Sequence, residues 1–183
     1  MELLEEMEYS IHPPSPFIAR SWQALLPGWS TPVLSVLVLL QRSPVMLCQH
    51  SSAAEAMKQH LRDRSIQLIV PLTEQLRVRN HNAMLFDPRT GLPYTANSDP
   101  SASDSDRSRS SLDFSGLDNS SSGIPLNDVA VVHALLGYTC HQYGRCHCIV
   151  HPFWGSGVYP TIMLASTTPD VLKTLTSVVL DAL

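Results

Sequence analysis

At 183 residues, with 44% hydrophobic and only 15% charged side chains and a formal net charge of −4, the chain has room for one core of ordinary size and hardly for two. The acidic balance excludes the basic footprint by which proteins hold a phosphate backbone, so nucleic acid is not expected as a partner. With so little charge, much of the surface must be polar and uncharged or covered by a partner, which points to an interaction protein.

Met1 to Ser10 carries Glu2, Glu5, Glu6 and Glu8 and no Lys or Arg, the reverse of the basic start of a targeting leader. The longest apolar run, Val33 to Leu40 with Ser35 inside it, is far shorter than the roughly 20 residues that cross a bilayer. Both features suggest a cytoplasmic protein without membrane insertion, its cysteines kept as thiols or metal ligands.

His12-Pro-Pro-Ser-Pro16 predicts an extended lead into a short amphipathic helix carrying Phe17, Ile18, Trp22, Leu25 and Leu26 and ending at Pro27-Gly28. Val33 to Leu40 follows as a buried strand. Ser51 or Ser52, ahead of Ala53 to Lys58, starts a helix expected to run to about Arg64. Ile66 to Leu72 and Leu76 to Phe86 read as strands, and Asp87-Pro-Arg-Thr-Gly91 as a turn leading to a further strand at Leu92 to Thr95.

From Asn97 to Gly123 the composition shifts: Ser supplies 11 of 27 residues and Asp five. Such a segment buries too little to offset its ordering entropy, and it reads as a disordered insertion within one domain. Asn127 then caps a helix ending at Gly137, with Val129, Val132, His133 and Leu136 on one side and His133 read as a hydrogen-bonded core residue. Cys146 to Phe153 and Val158 to Ala165 are predicted as the strands of a hairpin. Thr168 and Pro169 open a terminal helix that buries Val171, Leu172, Leu175, Val178, Val179 and Ala182. The fold class is α+β: a mixed, mainly antiparallel sheet flanked by helices, with a long Ser-rich insertion.

The stretch Ala83-Met-Leu-Phe-Asp-Pro-Arg-Thr-Gly-Leu92 resembles the first hairpin of GAF domains. Cys148-Ile-Val-His-Pro-Phe153, through Ile162 to Ala165 and into Pro169 to Leu183, is similar to the closing hairpin and helix of that family. The resemblance implies a small-molecule-sensing regulatory domain, an antiparallel sheet with helices around it. Val33 to Leu72 lies outside it.

The densest chemistry is Cys140-His141-Gln-Tyr-Gly-Arg-Cys146-His147-Cys148-Ile-Val-His151. With Tyr143-Gly144 as the loop of a tight hairpin, His141 would stand opposite Cys146, and His141, Cys146 and Cys148 would share a face. Cys48 or His50 from the first half would complete a tetrahedral zinc site. The spacing matches no finger or knuckle, and the plainer reading of Cys146 and Cys148 is as small buried hydrophobes. Adjacent strand residues point to opposite faces, so Cys146 and His147 cannot work together as nucleophile and base. No phosphate loop, nucleophile elbow or dinucleotide fingerprint is present.

The sequence therefore reads as a non-enzymatic regulatory or adaptor domain that binds a protein partner or a small ligand and needs no cofactor. A zinc-binding protein is the alternative. Ser105, Ser108 and Ser110 are the expected phosphorylation sites, and Leu112, Phe114 and Leu117 the apolar handle beside them.

Overall fold

The computed structural model describes residues 6–49, 51–95, 123–144 and 146–180, with the side chains of Cys146 and Leu180 outside that description. Four helices surround a four-stranded antiparallel sheet, and a separate two-stranded sheet stands beside it. The elements are β1 (Met7–His12), α1 (Pro16–Leu25), β2 (Ser35–Arg42), α2 (Ser52–Val78), β3 (Ala83–Phe86), α3 (Asp128–Leu136), β4 (Thr139–Tyr143), β5 (Cys146–Val150), β6 (Val158–Ala165) and α4 (Pro169–Leu180).

Sheet order is β1-β2-β6-β3, with every neighbouring pair antiparallel. The two central strands are covered on both faces, which explains their unbroken apolar runs. Along β2 the period of two still sorts the side chains. Val36, Val38 and Leu40 pack with Ile18, Leu25, Val132 and Ile149 on one face, whereas Leu37 and Leu39 meet Ile69, Leu72, Leu76 and Leu172 of α2 and α4 on the other. Pro160 is tolerated in β6 because β3 pairs only with Ile162 to Ala165, leaving Pro160 paired on one side.

The chain on both sides of residues 96–122 contributes to this sheet, β3 before and β6 after. The Leu126 N–H donates to the Gly91 carbonyl at 2.7 Å and the Ile124 N–H to that of Ala24 at 2.9 Å. Gly91 is required there twice over: its φ is +69°, and a Cβ would stand 2.7 Å from the Leu126 carbonyl oxygen. Apart from Gly123, the expected insertion lies outside the described residues.

Several expectations need correction. No element was expected before His12, yet Met7–His12 is strand β1, where Met7 and Ile11 alternate with Glu8, Ser10 and His12 and pack into the core. The strand expected at 66–72 and the first three residues of that at 76–86 are helix, because α2 continues to Val78, and the strand itself is only Ala83–Phe86. Leu61, Ser65, Ile69, Leu72 and Leu76 recur at helical spacing and are buried along one side. Pro71 survives inside because it lies on the exposed side beside Gln67, the carbonyl it cannot bond. Leu92 to Thr95 makes only an isolated bridge, Phe86 with Pro93.

The predicted hairpin of 146–153 with 158–165 does not form: β5 pairs with β4, while β6 lies between β2 and β3. A tight turn closed by the His151–Gly155 bridge carries the chain from one sheet to the other. On α4, Leu172 and Thr176 are buried, but Val171 and Val178 are 41% and 63% exposed. His133 is exposed rather than in the core, its Nδ1 2.7 Å from the Tyr138 carbonyl oxygen.

Candidate functional site

The cysteine and histidine segment folds into β4 and β5, with Gly144 first in the connecting turn at φ +61°. Tyr143 therefore pairs with Cys146 and His141 with Cys148, two residues on from the expected partner Cys146. Glycine favours the left-handed position at the start of a tight turn, so Gly144 opens the turn and Tyr143 stays in β4. All five residues of β4 are exposed. Phe153, in the turn after β5, is 90% exposed.

Besides Ile149 of β5, packed in the core against β2, His151, 2% exposed just after β5, ties this small sheet to the large one. Its Nδ1 accepts the backbone N–H groups of Phe153 and Trp154 at 3.2 and 3.1 Å, so the proton sits on Nε2 and is donated to Glu8 Oε1 on β1 at 2.8 Å. The Tyr138 hydroxyl donates to the same oxygen at 3.2 Å. Trp154 stacks on the imidazole at 4.1 Å and Tyr138 meets it edge-on. With both ring nitrogens committed, His151 is a clamp and not a base.

Behind β5 lies a cavity of about 390 Å³ reached by Cys48, Cys148, His147, Asp128, Arg89 and Tyr159. A second, of about 290 Å³, shares Lys58, Arg89 and Tyr159 and extends to Arg62. Their common wall is held by a buried ion pair. Arg62 Nε and Nη2 donate to Asp87 Oδ1 and Oδ2 at 3.0 and 2.9 Å, and the guanidinium lies 5.8 Å from the Tyr94 ring centre. Burial by itself would raise the Asp87 carboxyl; the bonds from Arg62 and from the Arg89 N–H, with both guanidinium charges, outweigh it and hold the group below its ordinary value.

Asp128 shows the opposite balance. Its carboxylate accepts the Val129 N–H at 2.8 Å, but burial in the cavity wall dominates and pushes it up to about 6. In the unfolded chain the group titrates near roughly 3.9. Ionisation thus costs folding free energy that grows as pH rises from about 4 to 6 and then stays constant. Asp128→Asn is expected to be more stable than the parent at pH 7.5 by about 1–2 kcal/mol, after the lost helix-dipole contribution, with the gap closing by pH 4. Urea denaturation at both pH values measures this; equal stability at pH 7.5 would contradict it.

Of the four expected zinc ligands, Cys48 and Cys148 line one cavity and His141 stands across the ladder from Cys148, while the side chain of Cys146, like the alternative ligand His50, is outside the described residues. Among the described residues no group of three or more His, Cys, Asp or Glu is arranged to hold a metal ion. Cys140 is exposed beside the Tyr138 carbonyl, and partial desolvation pushes its thiol up, away from the thiolate a nucleophile needs. Ser105, Ser108, Ser110, Leu112, Phe114 and Leu117 lie outside the described residues.

Sequence reasoning missed Arg62 with Asp87, His151 with Glu8, and Asp128. The first two pairs join residues far apart in the chain. Only an arginine on the buried side of α2 and a histidine amid Phe153 and Trp154 hinted at them. No helix among the described residues is long and apolar enough to cross a membrane. Comparisons of the chain with known protein families and with curated proteins returned no match.

Proposed function

We propose that this chain is a non-enzymatic binding domain of regulatory or adaptor type, which takes a protein partner along β4. The observation that carries this reading is that, among the described residues, β4 is paired on one side only and all five of its residues are exposed. A two-stranded sheet is marginal by itself, and natural edges are usually blunted by Lys, Pro or a bulge. Thr139-Cys-His-Gln-Tyr143 carries no such device, so its open N–H and C=O groups suit a strand donated by another protein.

The test is a charged edge. His141→Lys with Tyr143→Lys alters exposed positions, where substitutions shift stability by about 0.5 kcal/mol or less. A partner captured by the parent chain and identified by mass spectrometry should bind this variant at least tenfold more weakly, while a Lys173→Glu control on α4 binds as before. Equal affinity of parent and edge variant would overturn the reading.

A further inference from the structure

We propose that the cavity behind β5 binds a small organic monocarboxylate, whose head is held by Arg89 and the Tyr159 hydroxyl and whose apolar body lies against Leu47, Val158 and Pro160. The site does not involve the β4 edge and does not depend on what that edge binds.

The first support is the distribution of charge. Three cations line the two adjoining cavities, Lys58, Arg62 and Arg89. Lys58 is paired with Glu55 at 2.7 Å and Arg62 with Asp87 at 2.9 Å. The Arg89 guanidinium makes no hydrogen bond or ion pair among the described residues. A planar fork with no hydrogen-bonded partner among the described residues matches a carboxylate, which it can grip through two parallel bonds; a phosphate dianion would bring a second charge, for which the described lining residues offer no second such cation.

The second support is Tyr159. It is 8% exposed, lines both cavities, and its hydroxyl makes no hydrogen bond among the described residues. Burial, with the neighbouring carboxylates Asp87 and Asp128 adding to it, raises its phenol well above the ordinary value, so the group remains a donor. The hydroxyl opens onto the cavity, where it can donate to a ligand oxygen.

The third support is that the site is preformed. Asp87 is committed to Arg62 and to the Arg89 N–H at 3.0 Å, and its own carbonyl accepts from Gly91 at 2.7 Å. The turn carrying Arg89 is thereby fixed to α2. A volume of about 390 Å³ falls in the ordinary range for small-molecule sites. Two acids line this wall, Glu55, paired with Lys58, and Asp128, which opposes an anion.

Isothermal titration with benzoate tests the proposal, with benzamide as the neutral isostere and phenyl phosphate as the dianion. Benzoate should bind at least tenfold more tightly than either. Arg89→Gln, an exposed position whose loss leaves the fold intact, should weaken benzoate at least tenfold, Tyr159→Phe severalfold, and Asp128→Asn should strengthen it at pH 7.5. Equal binding of benzoate and benzamide, or an Arg89→Gln variant that binds benzoate as the parent does, would overturn the site. Tighter phenyl phosphate than benzoate would overturn the choice of ligand.

Discussion

Arg62→Met is expected to lower the stability of the chain by about 3–5 kcal/mol at neutral pH, the usual cost of removing one partner from a buried ion pair. Arg62 is 4% exposed and Asp87 7%. Without the guanidinium, Asp87 keeps its desolvation but loses its two strongest donors, and the turn that carries Arg89 loses its anchor on α2. The pH dependence identifies the cause. In the parent the Asp87 carboxyl is held below its ordinary value, so its contribution is complete above about pH 4 and is lost as pH falls through the folded value. In Arg62→Met the same carboxyl is buried without compensation and takes up a proton more readily, so the deficit of the variant should shrink as pH falls from 7 toward 4. Urea denaturation of both proteins across that range is the measurement. A pH-independent loss, or one below about 1 kcal/mol, would mean that the pair does not fix the turn. Arg62→Met combined with Asp87→Leu should recover part of the loss, since an apolar replacement removes both desolvated charges.

His151→Ala should cost about 3 kcal/mol, from the loss of a packed ring and the desolvation of groups left behind. Three donors or acceptors lose their partner at once: the N–H groups of Phe153 and Trp154, and Glu8 Oε1, which keeps only Tyr138. His151→Phe preserves the ring against Trp154 but none of the hydrogen bonds, and should recover about 1 kcal/mol of the stacking and packing. Glu8→Gln should be the mildest, because a side-chain amide oxygen still accepts from both donors. Thermal melts give the ranking, each kcal/mol moving the midpoint by about 2–4 °C in a chain of this size. Near-ultraviolet circular dichroism should lose the Trp154 signal in the Ala variant and keep it in the Phe variant. An Ala variant as stable as the parent would show that β5 is held to β1 by other contacts. The consequence for function is positional: His151 keeps β4 and β5 standing off the main sheet, with the edge of β4 outward and the cavity behind β5 open.

Local chemistry accounts for what could be read in the sequence alone. Asn127 caps α3 and Gly137 closes it in the left-handed conformation. Ser51 caps α2, accepting the Ala54 N–H at 3.1 Å, and Asp87 to Gly91 forms its turn. Each depends on residues within a few positions of one another, where side-chain geometry and backbone preference act without the rest of the fold. Val158 to Ala165 was legible as a strand for the same reason, being a short run of suitable side chains bounded by Gly157 and Ser166.

Long-range packing decided the remainder. The segment 66–78 carries Ile, Val and Thr, whose branched side chains favour strand, yet burial of Leu61, Ile69, Leu72 and Leu76 against the sheet outweighs those small propensities and keeps it helical. The partner of β6 was not local either: Val150 and Val158 are close in sequence, but β6 is buried between β2 and β3 whereas β5 pairs with the exposed β4. The clustered cysteines and histidines marked the right region without showing its contents. The cavity there is completed by Lys58 of α2, Arg89 of the turn after β3, Asp128 of α3 and Tyr159 of β6, and charges so distant in the chain acquire their pairing and their titration only when folding removes the water between them.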